Sequence, residues 1–292
     1  MTIIGSLDGD EAPPDKAFAR KSAEDVVVAD DSVESCSQEP TVSVVIPTKN
    51  EAKNLPHVLG SLSPDYHEVI LVDGGSSDDT VEVACALRPG IKVIQQNRRG
   101  KGNALACGFA AASGDFIVML DADGSTDPGE IGRFVAALRE GADYAKGSRF
   151  LPGGGSSDIS RLRRVGNYFL NKIVNAAYGT HYTDLCYGYN AFKRECLSAI
   201  ALHCGSGDDP IAATMRWGDG FEVETLINVR VAKAGLHVEE VPSFEHSRRH
   251  GTSNLNAFSD GIRVLRTIYM ERRRSKAAAT LDGEPERSDA VH

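Results

Sequence analysis

Phe116-Ile117-Val118-Met119-Leu120-Asp121-Ala122-Asp123-Gly124 decides how this 292-residue chain is to be read. Five apolar residues, two of them β-branched, predict a strand of a parallel sheet with both faces covered. The run leads without a break into Asp-Ala-Asp. In an extended chain, residues two apart point the same way, so both carboxylates aim into one crevice. In open α/β sheets that crevice, at the carboxyl ends of the strands, is where ligands bind. Two hard oxygen ligands there suit Mg²⁺ or Mn²⁺, which would in turn hold substrate phosphates. The alternative is structural. Ser125, Thr126 and Asp127-Pro128 form a helix-start signal, and the two aspartates would then serve as caps.

The chain before this strand alternates between the two periodicities. Strands are predicted at 42–46, 68–72 and 91–94, and helices at 54–62, 79–87 (capped by Ser77 or Asp78) and 102–112. A βαβαβαβ order requires a mostly parallel sheet with helices on both faces. The first strand is followed by Pro47-Thr48-Lys49-Asn50-Glu51, without the glycines of a dinucleotide fingerprint, which excludes a nicotinamide Rossmann domain. Every strand end carries polar groups instead. After the second strand come Asp73-Gly74-Gly75-Ser76, where Asp73 is placed to meet a ribose or base edge. After the third come Arg98-Arg99-Gly100-Lys101-Gly102, where Lys101 stands at a helix N-terminus suited to phosphate. Taken singly, each is also ordinary turn chemistry.

Downstream, a short strand is predicted at 143–146, a mobile glycine-rich loop at 152–157, and a helix from Ser160 to about Tyr178. Arg161, Arg163 and Arg164 open that helix, either as part of a lid over an anionic ligand or as a solvated basic face. Gly220-Phe221-Glu222-Val223-Glu224 opens another helix, where the two acids serve capping or catalysis. Residues 1–39 read as a disordered acidic leader and 275–292 as a disordered tail, leaving one domain over 40–274. The formal charge is −9, and residues 1–40 hold ten acidic and three basic side chains, so the remainder is near neutral. That excludes a generic nucleic-acid binder. Cys36, Cys85, Cys107, Cys186, Cys196 and Cys204 follow no metal-ligand spacing and read as reduced thiols of a cytosolic protein. No run reaches the ~18 apolar residues of a membrane span.

The ordered set of motifs resembles family 2 glycosyltransferases of GT-A fold, and among them the polyprenyl-phosphate (dolichyl-phosphate) mannose and glucose synthases. The set comprises Val45-Ile46-Pro47-Thr48-Lys49-Asn50-Glu51, Val72-Asp73-Gly74-Gly75-Ser76, Arg99-Gly100-Lys101-Gly102, Asp121-Ala122-Asp123, Gly147-Ser148-Arg149, Asp184-Leu185-Cys186-Tyr187-Gly188-Tyr189, Glu240-Val241-Pro242 and Arg248-Arg249-His250-Gly251-Thr252-Ser253-Asn254-Leu255. The resemblance implies a nucleotide-sugar donor (GDP- or UDP-linked), inversion at the anomeric carbon, and a polyprenyl phosphate or other acceptor. It assigns Pro47, Lys49, Glu51, Asp73, Gly74, Lys101, Asp121 and Ala122 to the donor. Asp123, Asp184 and Arg248 would carry the chemistry, and Arg149, Arg163 and Ser253 would meet the acceptor. Asp121, Asp123 and Ser125 would hold Mg²⁺ or Mn²⁺, with His246 or His250 as a further candidate ligand. The chain departs from the family pattern at Gly74 (often Asp), at Ser125 (often Gln) and at Asn254 (usually Lys). The last change leaves Arg248 to carry most of the phosphate-contacting role.

A phosphate acceptor is largely ionised at neutral pH, with a second pKa of about 6, and needs no general base. A hydroxyl acceptor does, and Asp184, Glu222 and Glu224 are the carboxylates to consider for it. A soluble hydroxyl acceptor is therefore the alternative enzyme, and a non-catalytic nucleotide-sugar-binding protein the alternative of another class. After Asn254, Phe258, Ile262, Leu265 and Tyr269 form one helical stripe, widened by Val264 and Ile268. Arg263, Arg266, Arg273 and Arg274 lie on the other side. The helix is either core-facing with a basic back or a peripheral membrane element, which would put the protein in the cytoplasm at the inner face of the membrane.

Overall fold

A computed structural model describes residues 39–205, 215–251 and 257–281. The expected leader over 1–39 (apart from Glu39), Ser253 and the last eleven residues lie outside that range. The elements are β1 (Val42–Thr48), α1 (Leu55–Gly60), β2 (Glu68–Asp73), α2 (Thr80–Leu87), β3 (Lys92–Gln95), α3 (Lys101–Ala111), β4 (Phe116–Met119), α4 (Ile131–Arg139), β5 (Tyr144–Ser148), β6 (Gly155–Ser156), α5 (Arg161–Tyr178), β7 (Asn190–Lys193), α6 (Leu197–Ile200), α7 (Val223–Lys233), β8 (Val238–Pro242), β9 (Phe244–Glu245) and α8 (Ala257–Leu281).

Seven strands form one sheet in the order β3-β2-β1-β4-β7-β5-β8. β3, β2, β1 and β4 run parallel, β7 is antiparallel to both its neighbours, and β5 and β8 pair parallel. The alternation of side chains splits each strand between two cores. Val44, Ile46 and Val118 face a cluster with Leu55, Val58, Phe134 and Leu138. Val45, Ile117 and Met119 face one with Leu105, Phe109, Phe192 and Ile227. Both faces are covered, which is why the strand before Asp121 is apolar throughout rather than alternating. The parallel register sets Thr48 beside Asp73 and Asp73 beside Gln95, so the polar strand ends share one edge.

Three expectations need correction. The glycine-rich stretch at 152–157 contains a strand, because β6 pairs in parallel with β9. Helix α8 continues to Leu281, past the expected end at 274. Cys107 and Cys204 form a disulfide, whereas Cys85, Cys186 and Cys196 are free. Cys36 lies outside the described residues.

The stripe expected on α8 is divided between the interior and the surface, so it is not the core-facing face of the first alternative. A third core cluster contains Val174 of α5, Tyr182, Leu185, Val229 of α7, and Val264 and Ile268 of α8. The face of α8 that is buried holds Val264, Thr267, Ile268 and Glu271, while Ile262, Leu265 and Tyr269 of the predicted stripe are exposed. Among the described residues no helix is long and apolar enough to cross a membrane.

Candidate active site

The strand-end edge opens on a cavity of about 780 Å³. Asp121 and Asp123 both line it, but not because the chain stays extended: β4 ends at Met119, and Ala122 and Asp123 lie in a turn. Gly124, at φ +75°, continues that turn in the left-handed region that glycine tolerates. The capping alternative for these aspartates is also settled. Asp127 caps the following 3₁₀ turn, its side chain accepting from the Gly129 N–H; of the upstream pair, Asp123 also accepts from the Ser125 N–H through Oδ1 at 2.9 Å and turns Oδ2 to Arg248.

Each of the two is met by a cation. Lys101 Nζ lies 2.7 Å from Asp121 Oδ1 and 2.8 Å from Glu224 Oε1. Burial alone would discharge Lys101, but Asp121 and Glu224 outweigh it and hold the pKa above the ordinary lysine value. Burial pushes the Glu224 carboxyl up, against the pull of Lys101. Arg248 bridges Asp123 (Nη2 to Oδ2, 2.8 Å) and Glu51 (Nη1 to Oε1, 3.0 Å). Burial raises the pKa of Glu51 too, opposed by Asn54 and Arg248. The segment that carries Arg248 is pinned by its backbone. His246 N–H donates to the Ser125 carbonyl, and His250 N–H to Asn54 Oδ1.

Pro47, Lys49, Glu51, Gly74, Lys101, Ala122 and Ser125 all line the cavity. Asp73 does not. Its carboxylate accepts from the Gly75 and Ser76 N–H groups and from Gln95, so it organises the turn after β2 instead of facing a ligand. The close approach of glycine after β3 also has a structural cause. A Cβ on Gly102 would collide with the Gly218 carbonyl, and Gly102 N–H donates to the Asp219 carbonyl at 2.8 Å. Buried Arg98 grips Asp219 through Nε and Nη2 at 2.8 and 2.9 Å, which fixes that turn against α3.

Asp184 is the clearest correction. It is fully buried and does not line the cavity. Arg149 donates to both its oxygens, from Nε at 2.7 Å and Nη2 at 2.9 Å, and Asn167 adds a bond at 3.1 Å. Arg149 also pairs with Glu245 at 2.9 Å and lies over the Tyr187 ring, 4.7 Å from its centroid. With all its neighbours engaged, Asp184 has no path to a substrate proton; it positions Arg149. Glu222 is likewise structural, accepting from the Gly218 and Gly220 N–H groups. Glu224, two residues on, lines the cavity. Arg163 lines it too, beside Asp158 at 3.5 Å.

Two residue sets escaped the sequence reading. Gln96 lines the cavity directly after β3, where the strand-end rule already pointed. Asn167, Asn171 and Asn175 recur every four residues on α5 and face inward, each with a partner in the 182–186 segment. Their helical spacing was the available signal.

Among the described residues no three His, Cys, Asp or Glu side chains are arranged to hold a metal ion. The ring of His246 packs against Phe244, 4.9 Å between centroids, which does not support it as a third ligand. Two carboxylates on one turn nevertheless fit Mg²⁺ or Mn²⁺ of the kind that takes one or two protein oxygens and completes its shell with water and substrate phosphates.

Comparison with known proteins agrees with this geometry. The family model for glycosyl transferase family 2 matches residues 43–200. The undecaprenyl-phosphate mannosyltransferase of Micrococcus luteus is 32% identical over 233 residues, covering 77% of this chain and 91% of that protein. The polyprenol monophosphomannose synthase of Mycolicibacterium smegmatis is 32% identical over 224 residues, covering 73% and 80%. Among solved structures, glucosyl-3-phosphoglycerate synthase from Mycobacterium tuberculosis, in complex with Mg²⁺ and UDP, superposes with a TM-score of 0.61 at 25% identity over 80% of each chain. A parallel sheet whose strand ends converge on an Asp-Ala-Asp turn is thus the GT-A scaffold, and this chain belongs to glycosyl transferase family 2 as a glycosyltransferase.

Proposed function

We propose that the enzyme transfers a sugar, with inversion, from a nucleoside-diphosphate donor to a polyprenyl phosphate. The observation that carries this reading is the state of the cavity's carboxylates. Glu51, Asp121, Asp123, Asp158, Glu224 and Glu245 line it, and each is paired with a lysine or arginine. The two with raised pKa, Glu51 and Glu224, stand beside the Asp-Ala-Asp turn, on the donor side. Among the described residues no unpaired carboxylate lines the cavity as a base for a hydroxyl, whereas a phosphate needs none. Ile159, Leu162, Leu170 and Val264 line the same cavity as Arg163, a lining suited to an anionic head on an apolar chain.

In this reading Asp121 and Asp123 hold Mg²⁺ or Mn²⁺, which when bound neutralises charge on the donor diphosphate. Arg248 and Lys101 flank the same diphosphate, and Pro47, Lys49 and Glu51 the nucleoside. An oxygen of the acceptor phosphate attacks the anomeric carbon from the face opposite the leaving group. The bond from that carbon to the diphosphate oxygen breaks, and its electron pair departs with the nucleoside diphosphate. No proton moves. Arg248 is freed to follow the developing charge if the donor displaces its contact with Asp123.

A second reading, a small soluble acceptor, is favoured by one finding: the synthase from Mycobacterium tuberculosis has also been solved with phosphoglyceric acid, at 25% identity. The test offers GDP- and UDP-sugars with Mn²⁺ to a polyprenyl phosphate, to the same polyprenol without its phosphate, and to 3-phosphoglycerate. Product on the lipid phosphate alone is expected. Equal or faster transfer to either hydroxyl acceptor refutes the lipid-phosphate reading.

A further inference from the structure

Helices α5 and α8 are built inside out. On α5 the inward positions include Asn167, Asn171 and Asn175, while Leu162, Val165, Phe169 and Ile173 form a solvent-facing stripe with Tyr168 at its side. On α8 the buried side includes Thr267 and Glu271, while Ile262, Leu265 and Tyr269 are exposed. Of the twelve exposed large apolar side chains among the described residues, eight lie on these two helices. Phe169 and Tyr269 are 61% and 60% exposed. A surface helix of a soluble domain has the reverse arrangement, and exposed apolar surface concentrated in one place marks a site of interaction.

Among the described residues, the exposed charges on the two helices are all basic. Helix α5 contains no acidic residue, and Arg161, Arg164 and Lys172 are exposed on it. On α8, Arg266, Arg272 and Arg273 are exposed, whereas Glu271 is buried. The two helices pack on one another, and the Tyr178 hydroxyl donates to the Ile268 carbonyl at 2.9 Å. Both reach the cavity, α5 through Leu162 and Arg163, α8 through Arg263 and Val264.

We propose that the outward faces of α5 and α8 together form a docking surface for an anionic lipid leaflet, which sets the mouth of the cavity at the bilayer. Apolar side chains ringed by arginines match the boundary between acyl chains and acidic headgroups. A second copy of this chain fits less well, since two such faces would oppose cation to cation. The surface deepens the lipid-phosphate reading of the cavity and rests on it for its purpose. Its binding is measurable without any acceptor.

The full-length chain is floated with vesicles of phosphatidylcholine, with and without phosphatidylglycerol, and free of polyprenyl phosphate. Binding to the anionic vesicles at low salt, and release at high salt as screening shortens, are expected. The double variant Phe169→Asp, Tyr269→Asp and the double variant Arg272→Glu, Arg273→Glu should each bind about tenfold or more weakly, with unchanged melting temperature. All four positions are exposed and outside the cavity lining. The proposal is overturned if the chain ignores anionic vesicles at every salt, or if both double variants float like the parent. It is also overturned if Phe169→Asp, Tyr269→Asp only converts a dimer to a monomer. Transfer to a polyprenyl phosphate in detergent micelles is measured alongside. Transfer kept without vesicle binding removes the docking surface and leaves the acceptor reading. Vesicle binding with transfer only to soluble acceptors does the opposite.

Discussion

Two arginine–aspartate pairs stand at the cavity, and the sequence offers no reason to distinguish them. Arg248 reaches Asp123 through one nitrogen at 2.8 Å and shares its other with Glu51, and about a quarter of its side chain is exposed. Arg149 lines the cavity with a buried guanidinium that holds Asp184, behind it, through two parallel bonds, with Asn167, Glu245 and the Tyr187 ring around the pair. A ligand can re-partner the first pair without breaking the fold. The second is a buried fork whose loss leaves a bare guanidinium in the core. In the proposed reaction the loosely held pair carries the chemistry and the tightly held one the architecture.

The largest effect that would break this contrast is at Asp123. Asp123→Asn should lower transfer by about 10²–10³-fold, the usual loss when one preorganised electrostatic partner goes, with a nearly unchanged melting temperature. Initial rates at saturating donor decide it, and a variant that keeps parental activity would move the chemistry away from the Asp-Ala-Asp turn. At Asp184 the pattern should invert. Asp184→Asn should cost about 3 kcal/mol of stability, because Arg149 keeps its burial and loses a full charge partner. Chemical denaturation measures this, together with the rate per folded molecule. Abolished turnover at parental stability would show Asp184 acting on substrate after all.

The smallest effect sharpens the contrast with a carboxylate that belongs only to the scaffold. Glu68 Oε1 accepts from Ser43 and from the N–H and hydroxyl of Ser113, tying β2 to the turn before β4. Burial alone would raise its pKa, but the hydrogen bonds from Ser113 and Ser43 prevail and hold it at about 2, below the 4.5 of an ordinary glutamate. A depressed folded pKa stabilises the fold above the unfolded value, and that contribution is lost as pH falls from about 4.5 through about 2. Glu68→Gln should therefore cost roughly 2 kcal/mol at neutral pH, a gap that closes towards pH 2, with transfer unaffected. A gap that stays constant with pH would assign the loss to packing.

The donor half was legible because local signals and position agree there. An unbroken apolar strand means two covered faces, and polar residues at parallel strand ends must meet at one edge, so Lys49, Glu51, Lys101 and Asp121 could be placed from sequence. Asp73 could not be separated from its neighbours, since accepting a turn's N–H groups and accepting a ligand's hydrogen bonds call for the same residue. Asp184 was misjudged for a tertiary reason. Whether a carboxylate faces solvent or an arginine 35 positions upstream is not written in any local spacing. On α5 and α8 the periodicity was visible, but periodicity gives a stripe and not its direction. The inward face could be recognised only once the asparagines of α5 were seen to hold the 182–186 backbone.

The short parallel pairing of β6 with β9 joins Gly155–Ser156 to Phe244–Glu245, which ends three residues before Arg248. The stretch leading to Arg163 and the stretch leading to Arg248 are therefore one mechanical piece. If a donor draws Arg248 inward, the same displacement reaches the stretch before Arg163, where the proposed reaction places the acceptor. By reciprocity, an acceptor that moves this stretch must alter donor affinity by the same factor. The ratio of donor dissociation constants with and without a non-reactive acceptor analogue measures that coupling directly, and a ratio of one would mean that the two-stranded joint is too compliant to transmit it.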